Sequence, residues 1–250
     1  MMTTTSCIIS LPLVLFFSHL IILSAQPPPF TYHNCSLSKG TYIKSSAYET
    51  NLNTLLSRLT LDTVIDYGFY TSSFGESPNK VHAQGLCRGD VEPYSCRKCL
   101  NDAKTLLPKL CSYQKDAFGY YEFCTFQYSS RSLLGIYRFP DFSYGFNNPE
   151  DAKDGESYTK ALNDLMISLK TKAAAGDSTF KLAVGYKEAD ESEIVYGLAQ
   201  CSPDLSRRDC DACLVKAISK IPDCCENKIG GRVIKFSCNL RFERVHFYYD

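Results

Sequence analysis

The sequence predicts an α+β fold made of two tandem copies of one small disulfide-stapled domain. Three observations carry that expectation. The segment CRGDVEPYSCRKCL, residues 87–100, recurs with the same cysteine spacing as CSPDLSRRDCDACL, residues 201–214. Helical leucine spacing alternates with β-branched and aromatic runs in both halves. And 13 cysteines stand in 250 residues, a density suited to an oxidising compartment.

Residues 1–25 differ in kind from the rest. They hold no Lys, Arg, Asp or Glu, and an apolar run from Cys7 to Leu23 ends in Ser24 and Ala25 before QPPPF. This is the pattern of a secretory signal peptide cut near Ala25; an N-terminal membrane anchor is the alternative. No second apolar run of spanning length occurs. Loss of Cys7 leaves an even number of cysteines, which favours disulfides.

A shift of 114 residues overlays the chain on itself. Cys87, Cys96, Cys99, Cys111 and Cys124 then land on Cys201, Cys210, Cys213, Cys225 and Cys238. Leu100, Ala103 and Pro108 land on Leu214, Ala217 and Pro222. Two copies of about 105 residues follow. Residues 26–139 form the first and 140–250 the second, joined in RFPDFSYGFNNPED, a Pro- and Asn-rich stretch. The second copy lacks a partner for Cys35, whose place falls on Pro149, and gains Cys224.

Within the copies, TNLNTLLSRL (50–59) and SYTKALNDLMISLK (157–170) space leucines as helices do. A second helix begins at each CxxC. It carries Cys96, Cys99, Leu100, Ala103 and Leu107 on one face, or Cys210, Cys213, Leu214, Ala217 and Ile221. TVIDYGFYTSS, GYYEFCTFQYS, EIVYGLAQC and GRVIKFSCNLRF read as strands. KEADESE (187–193) reads as a solvated loop. One or two helices on an antiparallel sheet is the economical layering.

The cysteines allow three roles. A four-cysteine zinc site combines two CxxC pairs in one small module as a rule, and each copy has one pair. A thioredoxin-like pair is the second option, but four or five companion cysteines per copy point to a framework. Half-cystines at i and i+3 of a helix can tie it to two other elements, each bridge stabilising by about 2–4 kcal/mol.

Lys plus Arg equals Asp plus Glu, at 27 each. That balance gives no support for nucleic-acid or anionic-membrane binding. His33, His82 and His246 stand in no nucleophile motif, and no HExxH, GxSxG or phosphate loop occurs. The reading is non-enzymatic, without cofactor or metal. Arg88-Gly89-Asp90 spells an adhesion tripeptide inside a cysteine loop, where chance is the better explanation. Asn34-Cys35-Ser36 is a glycosylation sequon crowded by its own cysteine.

C-x8-C-x2-C, twice, with CC and GGRVIKFSCNLRFE in the second copy, resembles the plant cysteine-rich repeat secretory proteins, whose domain is named for the antifungal, mannose-binding ginkbilobin. The resemblance covers nearly the whole mature chain. It implies two helices packed on a five-stranded antiparallel sheet in each copy. It implies pairings Cys35–Cys111, Cys87–Cys96 and Cys99–Cys124, then Cys201–Cys210 and Cys213–Cys238. Cys224 and Cys225 are left as a vicinal bond, free thiols or an intermolecular bridge. The family's mannose ligands are an Asn after the first cysteine, an Arg six residues before the last and a Glu five residues after it. Those places hold Asn148, Arg232 and Glu243 in the second copy, with Arg232 and Glu243 at a surface pocket; the first has Ser36, Phe118 and Ser129. The implied function is a secreted apoplastic protein binding mannose-like carbohydrate or a cell-wall or receptor partner, in defence or stress. A module or ligand for receptor ectodomains, with no sugar site, and a thiol-redox protein are the alternatives. Arg232 and Glu243 also suit a plain cross-strand ion pair.

Overall fold

The computed structural model describes residues 30–35, 40–59, 68–135 and 143–249. The expected signal peptide and the join near residue 140 lie outside the described residues. In the first copy the chain runs through β1 (Phe30–Cys35), α1 (Ala47–Arg58), β2 (Phe69–Phe74), β3 (Val81–Cys87), α2 (Pro93–Leu110), β4 (Asp116–Tyr121) and β5 (Cys124–Ser129). The second copy repeats the order with β6 (Tyr144–Asn147), α3 (Gly155–Ala174), β7 (Leu182–Glu188), β8 (Ile194–Cys201), α4 (Arg207–Ile218), α5 (Ile221–Cys225), β9 (Gly230–Ile234) and β10 (Cys238–Glu243). Each copy forms one five-stranded antiparallel sheet, ordered β1-β4-β5-β3-β2 and β6-β9-β10-β8-β7.

Local chemistry sets the helix starts. Ser46 caps α1 by accepting from the Glu49 N–H at 3.3 Å. Asp154 caps α3 by accepting from the Glu156 and Ser157 N–H groups, each at 3.1 Å, and Ser206 caps α4 from Asp209. These caps satisfy amides that no helical carbonyl reaches. They start each leucine-patterned helix earlier than the apolar pattern does. The buried residues of α2 are Cys96, Cys99, Leu100, Ala103 and Leu107, the face that the apolar spacing marks. The repeated proline acts differently in each copy. Pro108 is absorbed in the last turn of α2, whereas Pro222 sits in the first turn of the separate α5.

Both aromatic runs read as single strands are hairpins. GYYEFCTFQYS holds the end of β4, a turn at Glu122 and Phe123, and β5; GRVIKFSCNLRF holds β9, a turn at 235–237 and β10. Neither turn contains glycine, proline or asparagine, so no breaker marked it. The 187–193 stretch is not uniformly solvated. Its Glu193 is 1% exposed, and its carboxylate accepts from the Lys153 N–H at 3.1 Å.

Six disulfides staple the copies. Cys35–Cys111, Cys87–Cys96 and Cys99–Cys124 tie α2 and the residue that follows it to three strands. Cys201–Cys210 and Cys213–Cys238 do the same for α4. Cys224 and Cys225 bond to each other. No CxxC closes on itself, so each motif is a pair of struts and not a dithiol couple.

The helices cover one face of each sheet, and the opposite faces meet. Phe118, Tyr120 and Ile234 form a buried cluster with Tyr32, Phe146 and Phe236 around it. Tyr32 stacks on Tyr144 with centroids 3.9 Å apart. Polar contacts cross the same junction: Gln84 Nε2 donates to Ser202 Oγ at 2.7 Å, and Gln200 Nε2 to the Cys87 carbonyl at 2.8 Å.

Candidate functional site

The sheet register decides which residues share a place. Cys35 pairs with Ala117 in the first copy, and Asn147 pairs with Gly231 in the second. Ala117 shifted by 114 is Gly231, so Asn147 occupies the place of Cys35 and Asn148 that of Ser36. Asn147 Nδ2 donates to the Cys224 carbonyl, a polar substitute for the covalent tie that Cys35 makes.

Asn148, Arg232 and Glu243 lie in one patch on the helix-free face. The Asn148 N–H donates to the Gly230 carbonyl at 2.9 Å, and Gly230 pairs with Glu243 on the next strand. Arg232 stands two residues further along β9, paired with Phe146 and Arg241. Gly230 leaves room for the carboxylate: a Cβ there would meet Glu243 Oε2 at 2.0 Å and displace it. The missing side chain lets the carboxylate lie over the strand toward Asn148.

Charge pairing then separates the three. Glu122, in the β4–β5 turn of the first copy, accepts from Arg232 Nη1 and Arg241 Nη1, both at 2.7 Å, and Arg88 Nη1 lies 3.4 Å away. Arg241 Nε also donates to Glu243 Oε1 at 3.0 Å. The Arg232 side chain is only 11% exposed and lies over the Phe146 ring. Arg232 therefore does not stand in an open surface pocket; a carboxylate from the other copy covers it. Burial works against the charge of Glu122, but Arg232, Arg241 and Arg88 outweigh it and hold the carboxyl below its usual range. For Arg232 burial is likewise opposed, by Tyr120 and Glu122, and the guanidinium is held above its usual value.

Arg88-Gly89-Asp90 belongs to the same network. Arg88 grips Asp90 through Nε at 2.7 Å and Nη2 at 2.9 Å and reaches the Phe247 carbonyl. The Tyr249 N–H donates to Asp90. Arg88 is 7% exposed, so the tripeptide is folded onto itself and pins the C-terminal segment rather than presenting an adhesion loop. Asn34 is partly buried in β1, where its Nδ2 donates to the Tyr32 hydroxyl at 3.4 Å.

Sequence reasoning missed Glu122 and Arg241, and it met Arg88 only as part of a chance tripeptide. The shift of 114 places Phe236, Gln127 and Ser202 at the equivalent positions, so no repeated pattern marks them. Among the described residues no cluster of His, Cys, Asp and Glu suits a metal ion, and no helix is long and apolar enough to cross a membrane. The patch is electrically balanced. It can supply directional acceptors and donors to a neutral ligand, with no excess charge for an ionic one.

The salt stress response/antifungal family profile matches residues 34–131 and 145–245. The chain is 37% identical to cysteine-rich repeat secretory protein 38 of Arabidopsis thaliana, over 96% of this chain and 94% of that one. It is 39% identical to an antimicrobial ginkbilobin-2-like protein of Castanea crenata, over 86% of this chain and 88% of that one. Among solved structures, the tandem DUF26 ectodomain of the Arabidopsis thaliana cysteine-rich receptor-like protein PDLP5 superposes with a TM-score of 0.69 at 30% identity, over 87% of this chain and 100% of that one.

Proposed function

The chain belongs to the salt stress response/antifungal family of secreted cysteine-rich repeat proteins, and from that premise we propose that it is an extracellular, non-enzymatic protein that binds neutral, mannose-like carbohydrate on its second copy, in an antifungal or stress role. The observation that carries the reading is the alignment of Asn148, Gly230 and Glu243 across three strands. The Glu243 side chain is 16% exposed: Arg241 holds Oε1, and Oε2, above the bare Gly230, is the oxygen left to accept from a sugar hydroxyl. Asn148 Oδ1 accepts from the Glu150 N–H at 3.1 Å, which fixes the amide with Nδ2 turned to donate. Arg232 then acts as the group that orients the patch, not as a direct ligand. The first copy has Phe118 and Ser129 at the matching places, 1% and 0% exposed, with Phe118 in the cluster between the copies, and offers no second site. A glycan array probed with the purified protein tests the reading. Selective retention on mannose-containing neutral glycans supports it, and an empty array for folded protein refutes it.

A second reading rests on the Arg232–Glu122 pair at 2.7 Å. If the whole charge network only locks the copies together, the protein is an interaction module for a receptor ectodomain of the same architecture. Binding to such an ectodomain together with an empty glycan array decides for it.

A further inference from the structure

The register that aligns Asn148, Gly230 and Glu243 continues across the sheet. Glu243 pairs with Tyr196 on β8, and Tyr196 pairs with Tyr186 on β7. Residues so paired point to the same face. One row therefore reads Tyr186, Tyr196, Glu243, Gly230, Asn148. Neighbouring strands lie about 4.8 Å apart, so the row spans about 19 Å. The two tyrosine rings have centroids 6.0 Å apart at an interplanar angle of 40°. Tyr186 leaves 63% of its surface outside. His246, exposed, sets its ring 5.2 Å from Tyr196.

The charges beside Glu243 and Asn148 are paired: Arg241 with Glu243 at 3.0 Å and Arg244 with Glu150 at 3.1 Å. That end of the row offers no excess charge to an acidic or basic peptide. The same row in the first copy reads Ser73, His82, Ser129, Asp116, without a tyrosine pair. Tyr196 has a structural duty, since it packs against Tyr248 of the C-terminal segment. Tyr186, largely exposed, stabilises little by burial, so its ring remains accessible to a ligand.

We infer that this row is an extended strip for a neutral oligosaccharide. A pyranose ring carries an apolar C–H face and a polar rim. Tyrosine offers an amphipathic ring of matching kind, and a few placed polar groups fix orientation. One sugar lodges its hydroxyls at Glu243 and Asn148, and the following units lie across Tyr196 and Tyr186. The inference rests on the carbohydrate reading above and adds chain-length selectivity to it.

Calorimetric titration of mannose and of a linear mannotetraose into the purified protein tests it. Wild type should bind the tetraose about tenfold more tightly than mannose. Tyr186→Ala should lose that gain and keep mannose affinity within about twofold, while Tyr186→Phe keeps both. Mannose binding without a chain-length gain, or a gain that survives Tyr186→Ala, overturns the strip and leaves the carbohydrate reading standing. No binding of either sugar by folded wild type overturns both.

Discussion

Glu122→Gln should destabilise the protein by about 3 kcal/mol, although Glu122 lies in a turn and its side chain is 22% exposed. The carboxylate accepts from Arg232 and Arg241 at 2.7 Å each. Hydrogen bonds to charged groups contribute about 1.5–3 kcal/mol apiece. Both guanidinium groups are nearly enclosed, with side chains 11% and 14% exposed, so neither finds full hydration once the negative charge is gone. Water reaching the partly exposed glutamine and the bonds its carbonyl still accepts hold the loss near the low end of the cost of breaking a buried pair, about 3–5 kcal/mol. Urea unfolding at neutral pH with disulfides intact is the assay, and the midpoint should fall by about 1 M. In a double-mutant cycle with Arg232→Met the two losses should be coupled by at least about 1 kcal/mol. A midpoint shift below about 0.3 M, or strictly additive losses, would refute the claim that this carboxylate ties the copies together.

Acid should weaken the same junction. Burial alone would raise the Glu122 pKa, but the three arginines depress it. Its stabilisation is therefore complete above the ordinary carboxylate range and is lost as pH falls through the depressed value. The thermal midpoint of wild type should drop more steeply than that of Glu122→Gln below about pH 4, and parallel curves would contradict the assignment. Cys99→Ser opens the bridge to Cys124, which spans 25 residues, and should cost about 3.5 kcal/mol by loop closure. Cys224→Ser breaks a bond between adjacent residues and should cost under about 1 kcal/mol; equal thermal shifts in non-reducing buffer would be the wrong outcome. Gly230→Ala places a Cβ 2.0 Å from Glu243 Oε2. It should reduce mannose affinity by about tenfold while moving the thermal midpoint by only a few degrees, and unchanged affinity in a titration would remove Glu243 from the site.

Covalent and periodic features were legible before any coordinates. Five cysteines in register declared the repeat, and the helical spacing of Cys96, Cys99, Leu100, Ala103 and Leu107 marked the face that is buried. Such signals are local, because a helix face is set by neighbours three and four residues apart. The hairpins were hidden because Glu122-Phe123 and Lys235-Phe236-Ser237 contain no Gly, Pro, Asn or Asp, and a single serine inside an aromatic run is a weak turn signal. The place of Asn148 was reachable from the spacing of the helix that follows, whereas a rigid shift of 114 misplaces Cys35 on Pro149, two residues away from its structural counterpart Asn147. Arg232 is the instructive case. Its offset from Cys238 matched a ligand position of the resembling family and implied a surface pocket, but its environment is set by Glu122 from the other copy. Contacts between copies leave no period in either one, and charge complementarity across 110 residues has no sequence signature.

Carbohydrate recognition by the second copy is tested most directly by titrating mannose oligosaccharides into wild type and Glu243→Ala side by side, with the thermal midpoint of each recorded. At millimolar affinity the whole binding energy is about 4 kcal/mol, and one charge-assisted hydrogen bond supplies about 1.5–3 kcal/mol of it. The account predicts saturable binding by wild type and at least tenfold weaker binding by a folded Glu243→Ala. Binding of equal strength by both proteins, or none by folded wild type, would contradict it.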